Sequence, residues 1–359
     1  MEFALSQEQL ALQDSIGSFL ADRLPLDRVR SHAANGNGFD LALWEGLTEL
    51  GVPGLMVPEA HGGTGLGLLD AALVSQALGT AAAPAPFTAS VVMATIALLR
   101  SGSDTQRAGW LPRIAAGEVR IGLGFAGHGD GELRLEGGRL SGRLGGVLDA
   151  GVPTHLVVFL ADGRAALVGA DDRGVSIRMQ QTLDSTRPLA EVGFVDAAPE
   201  LLDAANEPAA AMAEVLDAGR IMLAADTLGA AQTMFDRAVD WAKQRVQFGR
   251  VIGSYQGVKY MCSDMATMLV PCHAFVWHAA HCFDTKDPEA RLMACHVKAH
   301  LDEVGREVAR ISTEVHGGMG FTDLMGLHYW MKRIGFNRQV LGGTDRCRQE
   351  AARLQDWAA

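Results

Sequence analysis

The chain has little of what would mark a secreted, membrane-bound or nucleic-acid-binding protein. It carries only 5 cysteines in 359 residues, an odd number with no C-x-x-C pair. That fits reduced thiols in a cytoplasmic protein rather than a disulfide framework. No uninterrupted apolar run approaches the roughly 20 residues that cross a bilayer. The opening "MEFALSQEQLALQDSIGSFL" sets acids and glutamines among its apolar residues, unlike a signal peptide. Positive charge is in deficit, with 31 Lys and Arg against 42 Asp and Glu and a net charge of -11. That balance excludes a general attraction to nucleic acid or to an anionic membrane, and leaves small molecules and other proteins as partners.

What is present is ordinary globular composition, 48% hydrophobic and 20% charged, enough for two or three packed units. Cys262, Cys272, Cys282, Cys295 and Cys347 fall late in the chain, near His273, His278, His281, His296 and His300. Their spacings do not resemble a zinc pattern and the segments read as helical, so packing residues and no metal site are expected.

Periodicity divides the chain in three and predicts an α+β fold. Residues 1–120 read as an N-terminal helical domain. Leu10, Ile16 and Leu20 recur at helical intervals after Ser6 as N-cap, and the Gly62 to Gly67 turn feeds a second apolar helix before the joint "GTAAAPAPF". From 121 to 203 the period falls to two. "ELRLEGGRLSGRL" alternates Leu133, Leu135 and Leu140 with polar residues around a Gly-Gly turn, and "THLVVFL", "AALVGA", "VSIRM" and "AEVGFV" follow, which predicts a small antiparallel β domain. Within it "GLGFAG" matches a dinucleotide-binding G-x-G-x-x-G by letter, but "HGDGELRLEGG" follows and offers no helix N-terminus to a pyrophosphate.

Residues 204–359 return to long helices and predict a four-helix bundle. Ile221, Leu228, Phe235, Ala238 and Ala242 keep one helical period, and another helix starts near Ser254 and carries Met261, Met265 and Leu269. In the next, Asp287 suits a cap and Pro288 the first helical position. Val297, Leu301, Val304, Val308, Ile311 and Val315 then form one narrow seam, stopped by Gly317 and Gly318.

Three stretches carry a family resemblance. "KQRVQFGRVIGSYQGVKYMCSDM" (243–265) resembles the R-x-x-F-G-x-x-I-x-x-x-Q segment of the acyl-CoA dehydrogenases, flavoenzymes that oxidise the α,β bond of acyl-CoA thioesters. "EVHGGMGFT" (314–322) resembles their Q-x-x-G-G-x-G-[FY] turn, and "LWEGLTELGVPGLMVPEAHGGTGLG" (43–67) their N-terminal signature. The resemblance implies FAD as cofactor. It carries binding roles onto Arg245, Gln247, Phe248, Gln256, Glu314, Gly317, Gly318 and Thr344. Physical sense supports this: Arg245 is a permanently charged fork suited to a pyrophosphate, Gln256 can hydrogen-bond a carbonyl or ribose, and the paired glycines admit a close backbone N–H.

The same resemblance exposes what is missing. Family chemistry needs a carboxylate to take the α proton while the β hydride leaves to the flavin. The usual Glu, first in an E-G-T triplet, aligns with Gly342 of "QVLGGTDR", and the alternative position, one residue before Arg220, is Gly219. The remaining candidates are Asp217 and Asp345, each one methylene shorter than Glu, and Asp217 lies about 200° around the helix from Gly219. The family's T-E-P-x-x-G-S-D loop and W-[IV]-[ST] strand, which contact the flavin ring, are replaced by "GFAGHGDGEL" and "LGGVLDAG". The positions retained are those that, in the family, reach across a subunit interface to the adenosine-diphosphate half of a neighbour's FAD.

The resemblance therefore implies a non-catalytic or half-site subunit of a heteromeric, α2β2 acyl-CoA dehydrogenase. Its FAD would be shared with a homologous catalytic subunit and its electron acceptor would be an electron-transferring flavoprotein. "LDSTRPLAEVGF" resembles the short subunits of bacterial steroid side-chain dehydrogenases, which implies a steroid-CoA substrate. Two alternatives stand beside it: a homo-oligomeric flavoenzyme of the same fold with another carboxylate as base, and a flavin-free binding or assembly protein.

Overall fold

Six helices come first in the computed structural model, which describes residues 4–35, 38–127 and 131–357. They are α1 (Gln7–Arg23), α2 (Leu26–Asn35), α3 (Leu41–Glu49), α4 (Leu68–Thr80), α5 (Ala94–Ser101) and α6 (Asp104–Ala115). Eight strands follow: β1 (Ile121–Phe125), β2 (Leu133–Glu136), β3 (Arg139–Leu148), β4 (His155–Phe159), β5 (Ala165–Gly169), β6 (Val175–Gln180), β7 (Leu189–Ala197) and β8 (Glu200–Leu202). The chain then runs through α7 (Pro208–Gln244), the two-residue strands β9 (Val246–Gln247) and β10 (Arg250–Val251), α8 (Gln256–Asp284), α9 (Ala290–His316), α10 (Leu327–Gln339) and α11 (Thr344–Leu354). Contacts group the chain into two compact units, Met1–Val29 with Ala72–Ala83 and Ile221–Ala359, and Arg30–Ala71 with Pro84–Arg220.

Local sequence explains most starts and stops. Ser6 accepts from the Gln9 backbone while the Gln9 side chain accepts from the Ser6 N–H, a reciprocal capping box for α1. Ile16 and Leu20 are buried as their spacing predicts, whereas Leu10 is 41% exposed because it sits on the outer face of the first turns. The start of α9 differs from the prediction. Asp287 uses its carboxylate on the Glu289 N–H at 2.8 Å and its carbonyl on the Ala290 N–H at 2.9 Å. A turn therefore occupies Asp287 and Pro288, and the helix begins at Ala290. Its seam of Val297, Leu301, Val304, Val308, Ile311 and Val315 is buried throughout, and the helix ends against Gly317.

The sheet of the second unit runs β6-β7-β3-β1-β4-β5-β8, with β2 paired to β3. Gly137 and Gly138 both take positive φ between β2 and β3, as a two-residue hairpin turn requires. One pair departs from the all-antiparallel expectation. β1 and β4 are parallel, Ile121 opposite His155 through Phe125 opposite Phe159, because β3 runs antiparallel to β1 and the chain reverses once more before β4. The strand after "GLGFAG" is β2, so that glycine motif opens no helix. Leu140, Leu144, Leu156, Val158, Val192 and Phe194 form the core on one face.

In the first unit α9 packs against α8, α10 and α11. A buried polar knot ties α7 to α10. Arg333 grips the Asp226 carboxylate with Nε at 2.9 Å and Nη2 at 2.7 Å, and Asn337 donates to Asp226 at 2.7 Å and to Thr227 at 3.1 Å. Close backbone approach accompanies it. A Cβ at Gly79 of α4 would stand 2.0 Å from the Asp226 carbonyl, and one at Gly229 would stand 1.9 Å from the Gln76 carbonyl. Among the described residues no helix is long and apolar enough to cross a membrane.

Candidate functional site

The end of α7 and the end of α9 make a recess of about 590 Å³, lined by Trp241, Arg245, Gln247, Phe248, Ile252, Tyr255, Val258, Val315, His316, Gly317, Gly318 and Met319. That volume lies within the ~300–1,000 Å³ of small-molecule sites. It gathers Arg245, Gln247, Phe248, Gly317 and Gly318, five of the sequence-predicted residues, in one place. Arg245 has no ion pair among the described residues, and no lining residue is acidic. The recess therefore offers an uncompensated cation, mostly aromatic and aliphatic walls, and two glycines.

Each wall has a local cause. α7 stops at Gln244, and Phe248 and Gly249, both at positive φ (52° and 80°), turn β9 into β10. Such a turn favours Asn-Gly, so Phe248 pays backbone strain at a tip where its ring is 93% exposed. The Tyr255 hydroxyl donates to the Gln247 carbonyl at 3.1 Å and the Arg250 guanidinium lies 3.9 Å over the Tyr255 ring, pinning the hairpin to the start of α8. On the opposite side Gly317 adopts φ 60°, ψ -143°, a region that only glycine occupies readily, and nothing lies within 4 Å of where a Cβ would stand on Gly317 or Gly318.

The other predicted residues lie elsewhere. Gln256 opens α8 next to the lining residue Tyr255 and donates to the Tyr260 hydroxyl. Glu314 is exposed on α9 and paired with Arg310. Thr344 is buried at the first turn of α11, its hydroxyl 3.5 Å from Asp302 and 3.4 Å from Glu303 of α9, and it is not part of the recess. Beneath it Lys298 and Asp302 form a fully buried pair at 2.6 and 2.8 Å. Burial pushes the Asp302 carboxyl up to about 6, against the opposing pull of Lys298.

The positions aligned with the missing carboxylate are also placed. Gly342 takes φ 89° directly after Leu341 at φ 58°, so the loop between α10 and α11 is left-handed where the base would stand. Gly219 lies inside α7, and two residues earlier Asp217 is 2% exposed and 3.2 Å from the fully buried Arg220. Asp345 is exposed in the first turn of α11. In the sheet, "LGGVLDAG" contains an irregularity between Leu144 and Val147, with Gly146 at φ 70°. Of "GFAGHGDGEL", residues 128–130 lie outside the described residues, and Phe125 ends β1.

Residues 6–118 match the acyl-CoA dehydrogenase N-terminal domain, and residues 209–353 match the acyl-CoA dehydrogenase C-terminal domain. The acyl-CoA dehydrogenase IpdE2 of Mycobacterium tuberculosis (strain ATCC 25618 / H37Rv) is 30% identical over 338 residues, covering 93% of each chain. The chain belongs to the acyl-CoA dehydrogenase family. Among solved structures, a variant of the Tcur3481-Tcur3483 steroid ACAD is 26% identical with a TM-score of 0.88, covering 98% of each chain. The ChsE4-ChsE5 complex from Mycobacterium tuberculosis shares the fold at a TM-score of 0.88 and 24% identity, covering 100% of each chain. As a member of that family the chain has its helical, sheet and helical arrangement, and members of the family bind FAD.

Sequence reasoning did not single out Trp241, Tyr255 or His316. Signals existed: Trp241 precedes Arg245 by four residues, one helical turn on the same face, and His316 is the residue before the glycine pair.

Proposed function

We infer that this chain is one subunit of a heteromeric acyl-CoA dehydrogenase, without a base of its own, and completes the FAD site of a homologous catalytic partner. The observation that carries the reading is a contrast between two groups of residues. At the recess the residues fit the adenosine-diphosphate half of FAD: the Arg245 guanidinium has no carboxylate to neutralise it, and Gly317 and Gly318 leave room for an approaching phosphate. At the positions the family uses around the flavin ring and for the base, the residues do not fit, since Gly146 and Gly342 offer neither indole, hydroxyl nor carboxylate and hold left-handed backbone. FAD, when bound, supplies the hydride acceptor; this chain's own residues bind and orient its phosphates.

Neither spare aspartate is favoured as a base. Asp217 is committed to Arg220 in a buried pair, and Asp345 is a short side chain at an exposed helix start. Phe248, strained and exposed at its hairpin tip, suits insertion into a second chain. The likeness to a steroid ACAD at 26% identity supports a steroid side-chain CoA ester as the substrate of the assembly. Its setting is the cytoplasm and its electron acceptor an electron-transferring flavoprotein, as the family resemblance implies.

The test is purification of this chain alone and together with a homologous chain that carries Glu at the position of Gly342. Alone, it is expected to be colourless and inactive on acyl-CoA; together, the pair is expected to retain flavin and dehydrogenate. A yellow, active homo-oligomer of this chain overturns the reading, and a rate abolished by Asp217→Asn or Asp345→Asn in that homo-oligomer would identify the base.

A further inference from the structure

Arg245 does not stand alone at the recess. Its Cζ lies 5.6 Å from the centroid of the Trp241 ring, and the other partner of that indole is the His316 imidazole, with centroids 5.5 Å apart and planes inclined by 20°. Guanidinium and imidazole thus both contact one indole, drawn from the end of α7 and the end of α9. The imidazole is the fixed member. It is 3% exposed, and its Nδ1 donates to the Ser312 carbonyl at 2.8 Å. Burial holds its pKa below the ordinary histidine value, which keeps it neutral, and its buried Nε2 has no partner among the described residues.

That unpartnered nitrogen argues against a purely space-filling role. A phenylalanine would fill the same volume without burying a polar atom that nothing satisfies. What imidazole adds is the tether to Ser312, which sets the rotation of its ring against the indole. An arginine side chain has large rotamer freedom, and a cation that must be ordered on binding loses affinity to that ordering. A platform that holds the guanidinium beforehand removes part of the loss.

Resting on the half-site reading above, we propose that Trp241 and His316 are positioning residues for Arg245, the tethered imidazole fixing the indole and the indole fixing the guanidinium that meets the diphosphate of an adenine nucleotide. The contribution is to the diphosphate, not to the base or ribose. Disturbing the stack therefore lowers affinity for ADP and leaves affinity for adenosine unchanged, which a general loosening of the fold does not do.

The experiment uses the full-length chain with ADP and adenosine as probes. Trp241→Leu and His316→Leu are each expected to weaken ADP about fivefold, the range of one exposed cation–π contact, while Trp241→Phe retains affinity within about twofold. In an Arg245→Met background Trp241→Leu is expected to have no further effect on ADP. A ligand-free readout stands beside it: the Arg245 Nε–H resonance, shifted by the indole ring current, moves in Trp241→Leu and also in His316→Leu. Equal ADP losses from Trp241→Leu with and without Arg245, or an Arg245 resonance indifferent to His316→Leu, overturn the proposal. A wild-type chain that shows the shifted resonance but binds no ADP supports the stack and sinks the half-site reading instead.

Discussion

Gly342 and Gly146 show why the missing chemistry cannot be restored by one side chain. Both hold positive φ, 89° and 70°, where a residue with a Cβ is strained. Gly342→Glu places the absent carboxylate by name but costs about 1–2 kcal/mol of backbone strain. The expected result is a lower urea midpoint with no gain in acyl-CoA dehydrogenation by the chain alone; a rise in turnover would show that side-chain identity was the only defect. Phe248 makes the opposite case. Asn fits its left-handed turn position better, so Phe248→Asn is expected to keep or raise stability by up to ~1 kcal/mol while weakening assembly with the partner in sedimentation or size-exclusion measurements. Loss of stability on that change would mean that the ring packs within the chain.

Among elements, periodicity made the seam of α9, the hairpin around Gly137 and Gly138 and the stop at Gly317 legible, since each rests on local patterns of spacing and glycine. Features set by distant partners were not legible. Phe87–Met93 forms a wide π-helical turn after the Ala/Pro joint, with the Ala89 N–H donating to the Asp149 carboxylate at 2.8 Å, and nothing local in "FTASVVM" specifies it. The candidate site divides the same way: Arg245, Gly317 and Gly318 stood out as motif residues, whereas Trp241 and His316 matter through each other and lie 75 positions apart (316 − 241). The knot between α7 and α10 is a further case of distant residues acting as one. Removing one member, Asp226→Leu or Arg333→Met, is expected to cost about 3–5 kcal/mol, because the remaining charge stays buried without its partner. The double replacement is expected to cost less than either single change. Additive losses in denaturant melts would show that the two residues act independently.

For the whole molecule, burial lowers the pKa of His155, His273, His300 and His316, so each is neutral when folded at neutral pH. Desolvation is the first cause in all four. The unfolded chain takes up these protons near the ordinary value of 6.5 while the folded chain does not. Stability from these groups is therefore full above 6.5 and falls as the pH drops from there toward the folded-state values. These four groups are expected to lower the denaturant midpoint on acidification through that window, against the opposing contribution of Asp302, whose raised carboxyl takes up a proton on folding, and His316→Phe is expected to flatten part of their decline. A His316→Phe chain whose midpoint falls as steeply as the parent's over that window contradicts the burial of a neutral imidazole at that position.

The half-site account also concerns the whole molecule, because it assigns a residue of this chain to chemistry performed by another. The most direct measurement is flavin content and acyl-CoA turnover of the co-purified complex in which only this chain carries Arg245→Met. The account predicts loss of bound FAD from the partner's site, with affinity lowered about tenfold or more as one charged hydrogen-bonding group is removed, and turnover restored by excess FAD. Unchanged flavin content and turnover in that complex would contradict it.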